Sequence, residues 1–279
     1  MSAGRAIEPV VEIAAPRGLT PLNLRELWEY RELVYFFLWR DVKARYRQMA
    51  LGPLWIVIHP VLNMVLYTLI FSVVAKLPSD GVPYPLFNFA ALLPWGFFHT
   101  ALFSAAGSLM NYRNLISKVY FPRLSVPLVG VLSALVDFLI AFGILLGMTL
   151  FYGYALRWTL LVIPVYLLLA GMTALAVGLW TACAVAYFHD VLDTLGYMVK
   201  LWMFVSPVVY ASSLVPAKWQ TLYYLNPMAV VVDGFRWALL GAGRPPDLML
   251  LVSFLLVLPF LVSGAYYFRK TERSIVDVA

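Results

Sequence analysis

VPLVGVLSALVDFLIAFGILLGMTLFY, residues 126–152, holds a single charged side chain, Asp137, in 27 positions. A helix crosses a bilayer with about 20 apolar residues, in a range of roughly 17–25. The run is therefore long enough to span with residues to spare. Five further runs qualify: Leu54–Ala75, Asn88–Met110, Trp158–Tyr187, Leu192–Tyr210 and Leu248–Phe268. A seventh, Met228–Gly241, has 14 residues and contains Asp233 and Arg236. That length predicts a re-entrant or interfacial segment rather than a span. Composition agrees: 63% of the 279 residues are hydrophobic and 12% charged, against about 25% charged in an ordinary soluble domain. A soluble enzyme would lack the charged surface it needs, so the surplus apolar residues must face lipid.

The net charge of +6 does not point to nucleic acid, because the basic residues sit in short clusters between apolar runs; no nucleic-acid partner is expected. With the connections assigned to alternate sides, 15 of the 20 Lys and Arg residues fall on the side of the N-terminus and five on the other. The positive-inside rule then places both termini in the cytoplasm, as an even number of spans requires. Lys200 lies inside the fifth run and would have to snorkel. Residues 1–22 mix Pro, Gly, Ala and charge, lack the apolar core of a signal peptide, and read as a disordered cytoplasmic tail. Over residues 23–48, Asn23 and Glu26 fit a capping box, and Leu24, Leu27, Trp28, Val34, Leu38, Val42 and Tyr46 recur at helical spacing opposite Arg25, Glu29, Glu32, Arg40, Lys43 and Arg47. This predicts an amphipathic helix in the headgroup region with Trp28 and Trp39 as anchors, or else a helix docked on a partner. Residues 49–279 form the transmembrane domain.

The sequence contains no GxxxxGK[ST] phosphate loop, GxSxG elbow, HExxH or CxxC. Its one cysteine, Cys183, excludes an intrachain disulfide and a Cys-based metal site. His59, His99 and His189 lie far apart, and no metal site is expected. Asp137 falls about 12 residues, or roughly 18 Å at 1.5 Å per residue, into its run. An intramembrane carboxylate is a functional candidate by default; pairing with His59 or Asn63, or protonation, is the competing expectation. Ala170, Ala174, Gly178, Ala182 and Ala186 form a small-residue stripe suited to close helix packing, within one chain or across a dimer. Trp219, Tyr223, Tyr224 and Trp237 cluster around the short seventh run. Aromatic faces of this kind suit sugars, and equally an interfacial belt.

Three stretches resemble the membrane subunits of ABC-2 type polysaccharide exporters, which include O-antigen, capsule and teichoic acid permeases. They are RDVKARYRQMALGPLWIVIHPVLNMVLYTLIF (40–71), FHDVLDTLGYMVKLWMFVSPVVY (188–210) and LNPMAVVVDGFRWALLG (225–241), the last followed by the terminal YFRKTERSIVDVA. The resemblance runs from about Leu24 to the C-terminus in the family's order. His189 departs from it, since the family more usually has arginine before that aspartate.

The resemblance implies an all-α membrane protein with six transmembrane helices, an N-terminal interfacial helix, and a re-entrant periplasmic gate between the fifth and sixth. Two copies would pair with two separate ATPase subunits, which carry the ATP and Mg²⁺; the chain itself is not an enzyme. The implied cargo is a lipid-linked polysaccharide, most simply O-antigen on undecaprenyl diphosphate, moved across a bacterial inner membrane. Carried over by position, Trp55, Tyr67, Tyr197, Trp202 and Tyr210 become candidates for the polysaccharide path. The gate would use Trp219, Tyr223, Tyr224, Asp233, Arg236 and Trp237. Coupling to the ATPase would fall on Asn111, Tyr112, His189, Asp190 and Asp193. Lys43, Arg45, Arg47, Arg113, Lys118 and Arg123 would meet the lipid diphosphate at the cytoplasmic rim. Aromatic platforms without buried charge would let a long chain slide rather than stall. The alternatives are export of teichoic acid, capsule or drugs by the same machinery, an embedded glycosyl- or prenyltransferase, or a secondary carrier. An embedded transferase needs acidic pairs for Mg²⁺, and Asp190 with Asp193 comes nearest.

Overall fold

The computed structural model describes residues 24–47, 54–116, 118–119, 121–188 and 190–278. The expected tail 1–22, the Asn23 half of the capping box, and His189 lie outside the described residues. In chain order the helices are α1 (Leu24–Glu29), α2 (Arg31–Arg47), α3 (Leu54–Tyr67), α4 (Tyr84–Ala106), α5 (Ser108–Asn111), α6 (Arg113–Ile116), α7 (Ser125–Phe151), α8 (Ile163–Tyr187), α9 (Val191–Val205), α10 (Ala217–Tyr223), α11 (Pro227–Leu240) and α12 (Leu248–Val278). A π-helical stretch, Thr68–Val74, continues α3, and a 3₁₀ turn, Trp158–Val162, leads into α8. There is no strand among the described residues.

Five segments are long and apolar enough to cross a membrane: Val57–Val74, Tyr84–Ala106, Ser125–Phe151, Trp158–Tyr187 and Leu248–Thr271. These match five of the six expected runs. The remaining one, Leu192–Tyr210, is not a continuous helix. α9 has 15 residues, about 22 Å at 1.5 Å per residue, short of the roughly 30 Å hydrocarbon core. Its end has a local cause: Pro207 excludes the helical conformation from the residue before it, and Ser206 is extended, with φ −101° and ψ 152°. The chain continues from Ser206 to Tyr210 as irregular backbone.

α4 is the centre of the bundle, packed by α7 and α8, while α12 lies against the other side of α8. The small-residue stripe of α8 is mostly spent inside the chain: Ala170, Ala174 and Ala182 are fully buried. At Gly178 a Cβ would stand 2.6 Å from the Cβ of Ala105 on α4, so only glycine allows these two helices to approach so closely. α3 stands apart, with no part of its spanning window buried within the chain.

The overlong third run is also explained. A 27-residue helix is about 40 Å long, and the first turns of α7 do not stand among lipid-facing residues. Val126 and Val129 instead pack with Val34 and Phe37 of α2 and with Tyr112 and Phe121. The expected helix 23–48 is broken at Tyr30 into α1 and α2. Its apolar surface is divided: Val34 and Phe37 face the protein, while Trp28, Tyr35, Phe36 and Trp39 point outward, each at least 60% exposed. Arg269 near the end of α12 meets Glu26 of α1 at 3.3 Å, so both ends of the described chain lie at one end of the bundle.

Candidate functional site

A cleft of about 520 Å³ opens between α3, α4, α7 and α9, reached by the C-terminal turn of α2. Trp55, Tyr67, Trp95, Phe97 and Phe138 supply aromatic walls; Arg45, His59, Asn63, His99, Thr100, Asp137 and Lys200 supply polar ones. Asp137 proves to have a different partner from those expected. Its carboxylate accepts from the Arg45 guanidinium, which also donates from Nη2 to Ser133 Oγ at 2.9 Å. Ser133 and Asp137 are four residues apart on α7 and so share a face. Arg45 reaches them because α2 packs along the start of α7. His59 and Asn63 pair with each other instead, Nδ1 to Nδ2 at 3.4 Å. The expectation of an aromatic path without buried charge is thus revised, since Arg45 and Asp137 are about three-quarters buried.

A second constellation is built on α11. Asn226 caps this helix, its Oδ1 accepting from Met228 N at 3.1 Å, with Pro227 at the first helical position, where its missing N–H costs nothing. The same Oδ1 accepts from Trp202 Nε1 at 2.8 Å, and Asn226 Nδ2 donates to Ser206 Oγ at 2.9 Å. Twelve of the 14 residues of α11 are buried. Arg236 is 1% exposed and donates to the carbonyls of Phe87, Pro207, Val208 and Tyr210 at 3.3, 2.5, 2.9 and 3.2 Å. Its guanidinium stands 3.6 Å from the ring centre of Phe87. Tyr84 donates to the remaining carbonyl, Val209, at 2.6 Å. Every carbonyl of the irregular segment 207–210 therefore has a side-chain donor. Buried backbone outside a helix persists only when so satisfied. Asp233 lies 3.8 Å from Arg236 and accepts from Tyr224 Oη at 2.6 Å. At Gly234 any Cβ would collide with the ring of Tyr166, which ties α11 closely to α8.

A third group sits at the end of the bundle that carries α2. Tyr112 donates to Asp41, and Arg40 lies 4.6 Å from the Tyr112 ring centre and 5.2 Å from that of Phe37. Burial, with the adjacent Asp41 carboxylate, pushes the Tyr112 phenol well above the ordinary tyrosine range. α2 and the turn beginning at Asn111 are thereby joined side chain to side chain.

The predicted site residues divide accordingly. Of the five path candidates, Trp55 and Tyr67 line the cleft. Tyr197 points outward beneath Lys200. Trp202 and Tyr210 tie α9 to the segment 216–241, Tyr210 through a 3.0 Å contact with the Tyr223 hydroxyl. Tyr224, Asp233 and Arg236 come together; Trp219 remains exposed, and Trp237 is partly buried. Among the rim residues Lys43, Arg47, Arg113 and Lys118 are exposed and Arg123 is half-buried, whereas Arg45 is drawn into the cleft. Asn111, Asp190 and Asp193 are exposed. Sequence reading did not bring Lys200, His99 and Thr100 together in this cleft; the one signal available was a lysine inside an otherwise apolar run.

Helices long enough to cross a bilayer, with an irregular buried segment whose carbonyls are met by side-chain donors, define a multi-pass α-helical membrane protein. Residues 32–240 match the model of the ABC-2 type transporter family, about three quarters of the chain, and the protein belongs to that family. It is 31% identical over 255 residues to the O-antigen export system permease protein RfbA of Myxococcus xanthus, covering 89% of this chain and 96% of that protein. A Klebsiella pneumoniae protein of the same name is 26% identical, covering 86% of this chain and 92% of its own length. The polysialic acid transport protein KpsM of Escherichia coli is 22% identical, covering 85% and 92%.

Proposed function

We propose that this chain is the membrane subunit of an ATP-driven exporter that carries a lipid-linked polysaccharide, O-antigen on undecaprenyl diphosphate, from the cytoplasm to the periplasm. The observation that carries the reading is the 31% identity to an O-antigen export permease over nearly the whole of both chains. Two copies sit in the bacterial inner membrane and bind two ATPase subunits, which hold the ATP and Mg²⁺. Six passes put both termini in the cytoplasm. The contact between Glu26 and Arg269 supports an even count, with α9 and the irregular segment 206–210 together making the fifth pass.

In this reading the cleft between α3 and α9 is one wall of the path, and Trp55 and Tyr67 offer ring faces to passing sugars. The α11 helix with Trp219, Tyr223, Tyr224, Asp233, Arg236 and Trp237 closes its periplasmic end. The exposed cations Lys43, Arg47, Arg113 and Lys118 present the cytoplasmic rim to the lipid diphosphate. Asn111, Tyr112, His189, Asp190 and Asp193 receive the ATPase. Their motion passes to α2 through the Tyr112–Asp41 bond, the element most directly joined to the cleft.

The test is to delete the gene in its own host, restore it on a plasmid, and read surface O-antigen by immunoblot while recovering tagged protein in mild detergent. Loss of O-antigen on deletion, its return on restoration, and a copurifying ATPase are expected. Unchanged O-antigen with loss of capsule would move the cargo to the polysaccharide class named by the KpsM relative. No change in any exported glycan would overturn the reading.

A further inference from the structure

We infer that the cleft contains an oxyanion site formed by Lys200 and Arg45, with Asp137 as a built-in competitor that keeps its affinity low. This rests on the proposed export function and goes beyond the rim residues considered there. The argument begins with charge. Lys200 and Arg45 line the same cleft, together with His59 and His99, and Asp137 is its one carboxylate among the described lining residues. Arg45 is occupied by Asp137 and Ser133. Lys200 has no carboxylate within 4 Å among the described residues and instead stands 5.6 Å from the Tyr197 ring centre. A lysine within an apolar helix is costly unless it has an anion to meet or water to reach. The cleft therefore offers an anion one available cation, and a second that can be taken from Asp137.

The partial burial of the Arg45–Asp137 pair, with side chains 29% and 25% exposed, strengthens any charge contact formed there relative to bulk water. A site of two unopposed cations would hold a phosphate or carboxylate tightly and stall a moving chain. Asp137 prevents this, because it reclaims Arg45 as the anion leaves. Conduction asks for this compromise, binding strong enough to admit and weak enough to release. The ligand chemistry is an oxyanion carried by the cargo, either the diphosphate of its lipid or carboxylates along an acidic glycan.

The experiment uses the full-length chain, without ATPase, in nanodiscs of uncharged lipid. Binding is measured by calorimetry for farnesyl diphosphate, an oligogalacturonate and an uncharged malto-oligosaccharide, with wild type, Lys200→Gln, Arg45→Gln and Asp137→Asn. One or both anions should bind in preference to the neutral sugar. Lys200→Gln, an exposed position whose replacement leaves the packing intact, should weaken anion binding about fivefold, the scale of one partly exposed charge pair. Asp137→Asn should tighten it by a similar factor, an effect that loss of a merely structural contact would not produce. Preference for farnesyl diphosphate assigns the site to the lipid headgroup, and preference for the oligogalacturonate assigns it to the glycan. Anion affinity unchanged by Lys200→Gln overturns the site, as does equal binding of all three probes. The two readings fail separately: a chain that restores export but binds anions indifferently to Lys200 overturns only this inference, and one that binds as described but restores no glycan overturns the export function.

Discussion

Arg236 shows how much one side chain can organise. Four carbonyls and an aromatic face converge on its guanidinium, and a planar fork with five donors is the group that fits them. Lysine in its place would keep the charge but present its donors at a single point. Each carbonyl then left buried and unpaired costs about 1–3 kcal/mol. Arg236→Lys should therefore lower the thermal unfolding midpoint in detergent clearly, and Arg236→Met should lower it further; unchanged midpoints would show that water or a relaxed segment 207–210 takes over. The presence of Asp233 and Arg236 in a short apolar run was legible in the sequence. The acceptors of Arg236 were not, because they are backbone carbonyls, one at Phe87, 149 residues earlier, and three in the irregular segment 207–210, and no local pattern points to them. The same holds for Asp137. Its isolation in the apolar run 126–152 was plain, but its partner came from α2, 92 residues away, and not from the nearer polar groups of α3.

At the scale of elements, α2 is a helix with two apolar faces. Val34 and Phe37 are fixed against α7 and the turn at Tyr112, while Trp28, Tyr35, Phe36 and Trp39 are left outside. Large aromatics beside arginines on an outward face suit the headgroup layer. A spin label at Phe36 should accordingly be reached by lipid-soluble oxygen more than by a water-soluble nickel complex, whereas a label at Lys43 should show the reverse. Equal access of both reagents at Phe36 would place that face against protein or water. The helical period of residues 24–47 was readable, and Trp28 and Trp39, expected as interfacial anchors, are outward-facing residues. Phe37 was not among the expected apolar positions, yet it joins Val34 as a main contact because α7 and the turn at Tyr112 fix the rotation of the helix. α9 gives a similar lesson. Its apolar run is long enough to be read as a span, but the conformational restriction imposed by Pro207 ends the helix at Val205.

At the scale of the whole molecule, both described ends lie together and the segment 216–241 lies at the opposite end from α2, packed on the start of α4 and of α8. The proposed six-pass arrangement makes a direct prediction. The sole cysteine, Cys183, is fully buried, so single cysteines introduced at Asp80, Trp219 and Lys118 can be labelled with little background. In intact spheroplasts a membrane-impermeant maleimide should modify the positions at 80 and 219 and spare 118 until the cells are opened. Labelling of 118 from outside would invert the topology. The membrane character of the protein, five runs long enough to span and the shortness of the run Met228–Gly241 were determined by the sequence itself, because apolar length and helical period are local properties that the bilayer reads one segment at a time. Only the tertiary structure decided that the small-residue stripe packs against α4 inside the chain, that Arg45 is the partner of Asp137, and that Lys200 opens on a cleft. Those facts depend on which faces of distant helices meet, and that choice is made by packing across the whole bundle rather than by any one stretch of chain.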